Sequence, residues 1–121
     1  MSVHEKIIDV YNHVANGTAM DAFEKYYDED VVMILEDGTE VEGKDANRDR
    51  ENEFFGSVES FNGMGIVSIT SNEDEEATAV ESWMDVTFKG ADEPTKIQQV
   101  ATQQWEKGKI VRERFYGTQQ G

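Results

Sequence analysis

Cysteine is absent from the 121 residues, which excludes disulfides, thiolate catalysis and cysteine-based zinc sites. Positive charge is scarce: 11 lysines and arginines stand against 26 aspartates and glutamates, for a formal net charge of -15. Such a surface repels nucleic acid and anionic membrane, so neither is an expected partner. Most of the acids fall at predicted turns or outward helix faces and read as a solvated surface, with adaptation to high salt as the sharper alternative. No apolar run approaches membrane-spanning length, and Met1 to Asp9 lacks the basic-then-apolar order of a secretion signal. A cytoplasmic protein is the default expectation. Histidine is confined to His4 and His13 in the first predicted helix. The two do not pair at ligand spacing, so no metal site and no cofactor is expected.

Repeats, linkers and low-complexity tracts are also missing, and the 37% hydrophobic content suits one ordinary core. Residues 1–121 therefore read as a single domain. Ile7, Ile8, Tyr11, Val14 and Ala15 form one apolar stripe of a helix running from about His4 to Asn16, which the Asn16-Gly17 pair ends. Thr18, with Asp21 three residues on, reads as the cap of a second helix carrying Met20, Phe23, Tyr26 and Tyr27. Val31 to Leu35 is an apolar, β-branched strand, and Glu36-Asp37-Gly38 is a hairpin turn into a short strand at Thr39 to Glu42. A polar third helix, Lys44 to Phe55, has Asp45 as its expected cap and Ala46, Phe54 and Phe55 as anchors. Long strands follow at Met64 to Thr70, Thr78 to Lys89, Lys96 to Glu106 and Lys109 to Tyr116. Helices first and strands last give an α+β class, with helices on one face of a curved, mostly antiparallel sheet.

The order of these motifs resembles a known family. Tyr11 followed by Asn16-Gly17, the junction Tyr27-Asp28-Glu29-Asp30-Val31, Gly43-Lys44-Asp45-Ala46 and Gly108-Lys109-Ile110-Val111 span nearly the whole chain. Together they are similar to SnoaL-like members of the nuclear transport factor 2-like superfamily, which includes ketosteroid isomerases, scytalone dehydratase and polyketide cyclases. The resemblance implies a cystatin-like α+β cone, a curved mixed sheet wrapped around the N-terminal helices. It also implies a pocket in the open mouth and an outer sheet face that often forms a homodimer. One departure is Asn47, which stands where an aliphatic residue is common.

Strand alternation, matched to ketosteroid isomerases, gives an inward set of Val80, Ser82, Met84, Val86, Ala101, Gln103, Trp105, Glu113 and Phe115. Glu81, Trp83, Asp85, Thr87, Arg112, Arg114 and Tyr116 face outward. Ketosteroid isomerisation needs a carboxylate base and two proton donors, a tyrosine and a neutral carboxylic acid. Tyr11 matches the tyrosine, whereas Leu35 falls at the base position and Ala101 at the second donor. A slip of one or two residues would bring Glu36 or Asp37 to the base position, but both look like turn residues. Cyclases and dehydratases of this fold use a His-Asp type of pair, and no histidine lies in the strands or third helix to supply one.

Tyr11 and Glu113 are accordingly the catalytic candidates. Apolar neighbours such as Phe115 and Trp105 should raise the Glu113 pKa toward a useful range, unless Glu113 is simply paired with an arginine or solvated. Phe23, Tyr27, Leu35, Phe54, Met84, Ala101, Gln103, Trp105 and Phe115 are the expected ligand-binding residues, forming an aromatic and methionine-rich cavity for a small apolar molecule. Isomerisation, cyclisation or dehydration by proton transfer is the chemistry to expect there. The competing class is a non-catalytic dimerisation or partner-binding module with a filled cone, and the residues leave open whether the chain is an enzyme. Trp83, Arg112, Arg114 and Tyr116 would form the homodimer face.

Overall fold

The computed structural model describes residues 1–120. Helix α1 (Val3–Ala15) starts in a full capping box: the Ser2 hydroxyl accepts from the Glu5 amide at 3.1 Å, and the Glu5 carboxylate accepts from the Ser2 amide at 3.0 Å. Ile7, Val10 and Tyr11 are its buried face. Helix α2 (Ala19–Tyr26) buries Ala22, Phe23 and Tyr26. Thr18 precedes it but makes no side-chain cap; its hydroxyl instead meets His13 Nδ1 at 2.7 Å and donates to the His13 carbonyl at 3.3 Å. The expected Thr18–Asp21 cap gives way because a nearer partner on α1 takes the hydroxyl.

Strand β1 (Tyr27–Ile34) follows α2 without a linker, so the acidic stretch Asp28 to Asp30 belongs to a strand rather than a turn. Strand β2 (Glu40–Glu42) pairs with it antiparallel, and helix α3 (Lys44–Ser57) follows. Gly43, at φ 94°, stands at the N-terminus of α3 in place of a side-chain cap. Asp45, expected to cap, instead accepts from Arg48 at 2.7 Å, and Ala46, expected to anchor, is exposed. The helix is anchored by Lys44 and Asn47, whose side chains are buried. Asn47 Nδ2 donates to the carbonyls of Val41 at 3.0 Å and Gly43 at 2.9 Å, so the polar departure from the family pattern clamps α3 to β2.

Four long strands complete the sheet: β3 (Val58–Asn72), β4 (Ala77–Phe88), β5 (Thr95–Glu106) and β6 (Lys109–Gln120). The order is β2-β1-β6-β5-β4-β3, antiparallel except for the parallel β1–β6 pair. Strand β3 begins before the expected Met64, directly after α3, and its pairing with β4 shifts register at three places, where bulges bend the sheet. The result is an α+β cone with the helices against the concave face. Ile7, Val31, Met33, Val80, Trp105 and Ile110 are fully buried in its core, each aliphatic side chain contributing about 1.5–3 kcal/mol by leaving water. Among the described residues, no helix is long and apolar enough to cross a membrane.

Candidate functional site

A cavity of about 510 Å³ opens between the helices and the concave sheet face. Helix α1 lends it Val10, Tyr11 and Val14; α2 lends Met20 and Phe23; α3 lends Arg50, Glu51, Phe54 and Phe55. The sheet supplies Tyr27, Met64, Ser82, Met84, Ile97, Gln99, Glu113 and Phe115, and the β1–β2 turn closes one side with Leu35, Glu36 and Asp37. Strand parity explains the sheet contribution, since Met64, Met84 and Ile97 are cross-strand partners on one face, as are Ser82 and Gln99.

Glu113 is 3% exposed. Its Oε1 accepts from the Tyr27 hydroxyl at 2.6 Å and its Oε2 from Gln103 Nε2 at 2.7 Å. Burial pushes its carboxyl up to about 7, against the opposing pull of those two hydrogen bonds. Behind it runs a buried chain: Trp105 Nε1 donates to Thr78 Oγ1 at 2.9 Å, and Thr78 Oγ1 donates to Gln103 Oε1 at 2.7 Å. The indole N–H can only donate, so the Thr78 hydroxyl must pass its own proton onward and the Gln103 amide must turn its NH₂ toward Glu113. Every donor in the chain therefore points at the carboxylate.

Burial, with the nearby Glu113 charge, also raises the Tyr11 and Tyr27 hydroxyls, which stay protonated at neutral pH. Burial raises Glu51 as well, with Arg50 pulling the other way. Arg50 is poorly satisfied: Nη2 reaches Met33 Sδ at 2.8 Å and Glu51 Oε1 at 3.4 Å, and Nε lacks a partner among the described residues. Its guanidinium stands 5.9 Å from the Phe115 ring centre.

Among the candidates, Tyr11, Phe23, Tyr27, Leu35, Phe54, Met84, Glu113 and Phe115 meet at this one cavity. Ala101, Gln103 and Trp105 do not line it. All three share the inward face as expected, but Ala101 pairs with Phe115, whose ring reaches the cavity, Gln103 stands behind Glu113, and Trp105 is buried in the core. Trp83, assigned to the outer face, also borders the cavity; its indole lies against Gly65 and Gly63, where no Cβ holds it off β3. Arg50 and Glu51 went unassigned in the sequence, although they lie three and four residues before the aromatic pair Phe54-Phe55 and so share its helix face. Among the described residues, no group of three or more histidines, aspartates or glutamates could hold a metal ion.

On the outer face, Arg112 and Tyr116 are exposed, and the Arg114 guanidinium lies 5.0 Å from the Tyr116 ring centre. These three residues border a second, shallower hollow of about 480 Å³ with Ala77, Ala79 and Thr102. Val100 pairs with Tyr116 and is also exposed.

Comparison with known proteins gives a family and similar solved folds. The SnoaL-like domain model matches residues 7–113. A candidate SnoaL-like polyketide cyclase from Mesorhizobium loti superposes with a TM-score of 0.80 at 24% identity, covering 96% of this chain and 99% of that one. A candidate isomerase from Bacillus subtilis gives 0.80 at 18% identity over 98% and 90%. An LEH-like epoxide hydrolase from M. tuberculosis gives 0.75 at 15% identity over 96% and 82%. No curated protein matches the sequence.

Proposed function

We propose that this chain, which belongs to the SnoaL-like domain family, binds a small, mostly apolar molecule in its cone and moves a proton on it through Glu113. The observation that carries this reading is a buried carboxyl at the wall of an open cavity, held at about 7. A group that is half ionised near neutral pH both takes and returns protons, the property wanted in general acid–base catalysis. Tyr27 and Gln103 hold the carboxyl in place. The Tyr11 hydroxyl, close enough to Glu113 to feel its charge, is the donor we assign to an oxygen on the ligand. Isomerisation, cyclisation and dehydration all use such a transfer. The polyketide cyclase, isomerase and epoxide hydrolase named above have activities of their own; as similar folds they support a cone that accommodates catalysis.

A second reading rests on the same residue. Both Glu113 oxygens already have partners within the protein, as a purely structural carboxylate would, and the chain would then be a non-catalytic binding module. A thermal-shift screen with steroid-like, polyketide-like and terpenoid compounds separates the readings in two stages. We expect at least one class to raise the melting temperature, and Glu113→Gln to retain that binding while losing turnover. If no compound shifts the transition, the pocket reading fails; if the variant turns over normally, the non-catalytic role of Glu113 stands.

We further propose a cytoplasmic homodimer through the outer face, with Tyr116, Val100, Trp83, Arg112 and Arg114 at its centre. Aromatic and arginine side chains beside an exposed valine suit an interface core. Tyr116→Glu is expected to halve the mass measured by light scattering, and a monomeric parent protein would refute the dimer.

A further inference from the structure

We propose that the cavity selects an organic cation: an amine or quaternary ammonium carried on an apolar body. The proposal rests on the reading of the cavity as a ligand site and names the chemistry it would take. Its first support is the distribution of charge around the walls. Glu36 and Asp37 come from the β1–β2 turn, Glu51 from α3 and Glu113 from β6, so carboxylates surround the space from three directions, and Arg50 is the one lysine or arginine among the described lining residues. Arg50 is partly engaged, with Glu51 at 3.4 Å and the Phe115 ring centre 5.9 Å from its guanidinium. Above about pH 7, where Glu113 is ionised, the carboxylates outnumber the single guanidinium, and walls of low dielectric strengthen their pull on a cation.

The second support is the nature of the remaining surface. Tyr11, Phe23, Tyr27, Phe54, Phe55 and Phe115 line the same space. Aromatic faces attract cations and are the usual walls of sites for quaternary ammonium groups. Arg50 over Phe115 shows that this wall accommodates a delocalised cation. Above about pH 7 an anion would meet the ionised Glu113 and the exposed Glu36 and Asp37 of the turn. The Arg50 Nε donor, free among the described residues, suits a neutral oxygen on the ligand body.

A third consequence follows from linkage. Glu113 faces Tyr27 from β1, Gln103 from β5, Tyr11 from α1, and Arg50 and Glu51 from α3. A cation among these groups stabilises the ionised carboxyl, so binding releases protons near neutral pH and tightens as pH rises through about 7.

The test uses three probes of one shape on the intact protein: benzyltrimethylammonium, its uncharged isostere neopentylbenzene, and the anion 3-phenylpropanoate. Affinities are read by NMR titration at about pH 6 and pH 8, following resonances of Tyr27, Met84 and Phe115 so that ions held on the outer surface do not count. The cation is expected to bind about tenfold more tightly than the isostere, a ratio within the range of a desolvated cation–π contact. The anion is expected to bind most weakly. Glu113→Gln should weaken the preference for the cation and lose most of its pH dependence. Equal or tighter binding of the isostere overturns the cation proposal and leaves the pocket reading standing, as does preferential binding of the anion. If none of the three shifts the cavity resonances, both fail.

Discussion

Glu113 couples the stability of the protein to pH. In the fold it keeps its proton up to about 7, whereas an unperturbed glutamate releases it near 4.5. Between those values the folded chain binds more protons than the unfolded one, so stability falls as pH rises, by about 3 kcal/mol across the window. Glu51, raised by burial, acts in the same direction. The acids with lowered pKa, Glu5, Asp9, Glu24 and Asp37, act oppositely and below the ordinary carboxylate range. Denaturant titrations at pH 5 and pH 8 should show the wild type less stable at the higher pH and Glu113→Gln much less sensitive; a wild-type protein equally stable at both pH values contradicts the burial. Thr78→Val tests the chain behind Glu113. It orphans the Trp105 N–H and frees the Gln103 amide to turn its carbonyl toward the carboxyl, which favours the protonated form. A loss of about 1–3 kcal/mol is expected, with an upward move in the Glu113 titration followed by carboxyl ¹³C shifts. Thr78→Ser should restore both, and an unmoved titration in Thr78→Val would show that the chain does not orient Glu113.

At the scale of elements, α3 depends on a contact that no hydrophobic pattern announces. Asn47 is fully buried and joins β2 to the first turn of the helix through two carbonyls. Asn47→Ala should cost about 1–3 kcal/mol by leaving those groups unpaired, measured as a lower denaturation midpoint, and it should quicken amide exchange in α3 more than in α1. A uniform change across the helices would show that the clamp is not local. The same example marks where the sequence was legible. Alternation in β4 to β6 reported the inward face, whereas apolar spacing in α1 found Ile7 and Tyr11 but also took in Ile8 and Ala15, which are exposed, and passed over Val10, which is buried. Capping at Thr18 and Asp45 misled because each side chain had another near partner in sequence, His13 five residues back and Arg48 three residues on, which the capping patterns do not weigh. Glu113 and Phe115 were placed at the cavity by strand parity matched to the family resemblance, Tyr11 by the resemblance itself, and Phe54 as one of a group of aromatics. Parity could not say how deep a residue lies, so Ala101, Gln103 and Trp105 came out on the right face and beyond the reach of the cavity. Arg50 and Glu51 stayed unassigned because a polar helix offers no periodicity to show which face is inward.

At the scale of the whole molecule, the net charge of -15 makes the compact state repel itself. Screening by added salt should therefore stabilise the fold, and the melting temperature should rise steadily from low to molar sodium chloride. No rise would show that the acids are too well dispersed to matter and would remove the salt-adaptation reading. Another consequence lies in the parallel pairing of β1 with β6, which seats the first long strand against the last. Tyr27 and Glu113, hydrogen-bonded in the finished site, are 86 residues apart in the chain. On a ribosome, the helices and β1 emerge long before their partner exists, and β1 waits with an open edge. High contact order of this kind slows folding. The waiting edge is a template for another nascent chain, and the charges of Asp28, Glu29 and Asp30, which lie on β1 where its register with β6 shifts, disfavour such pairing.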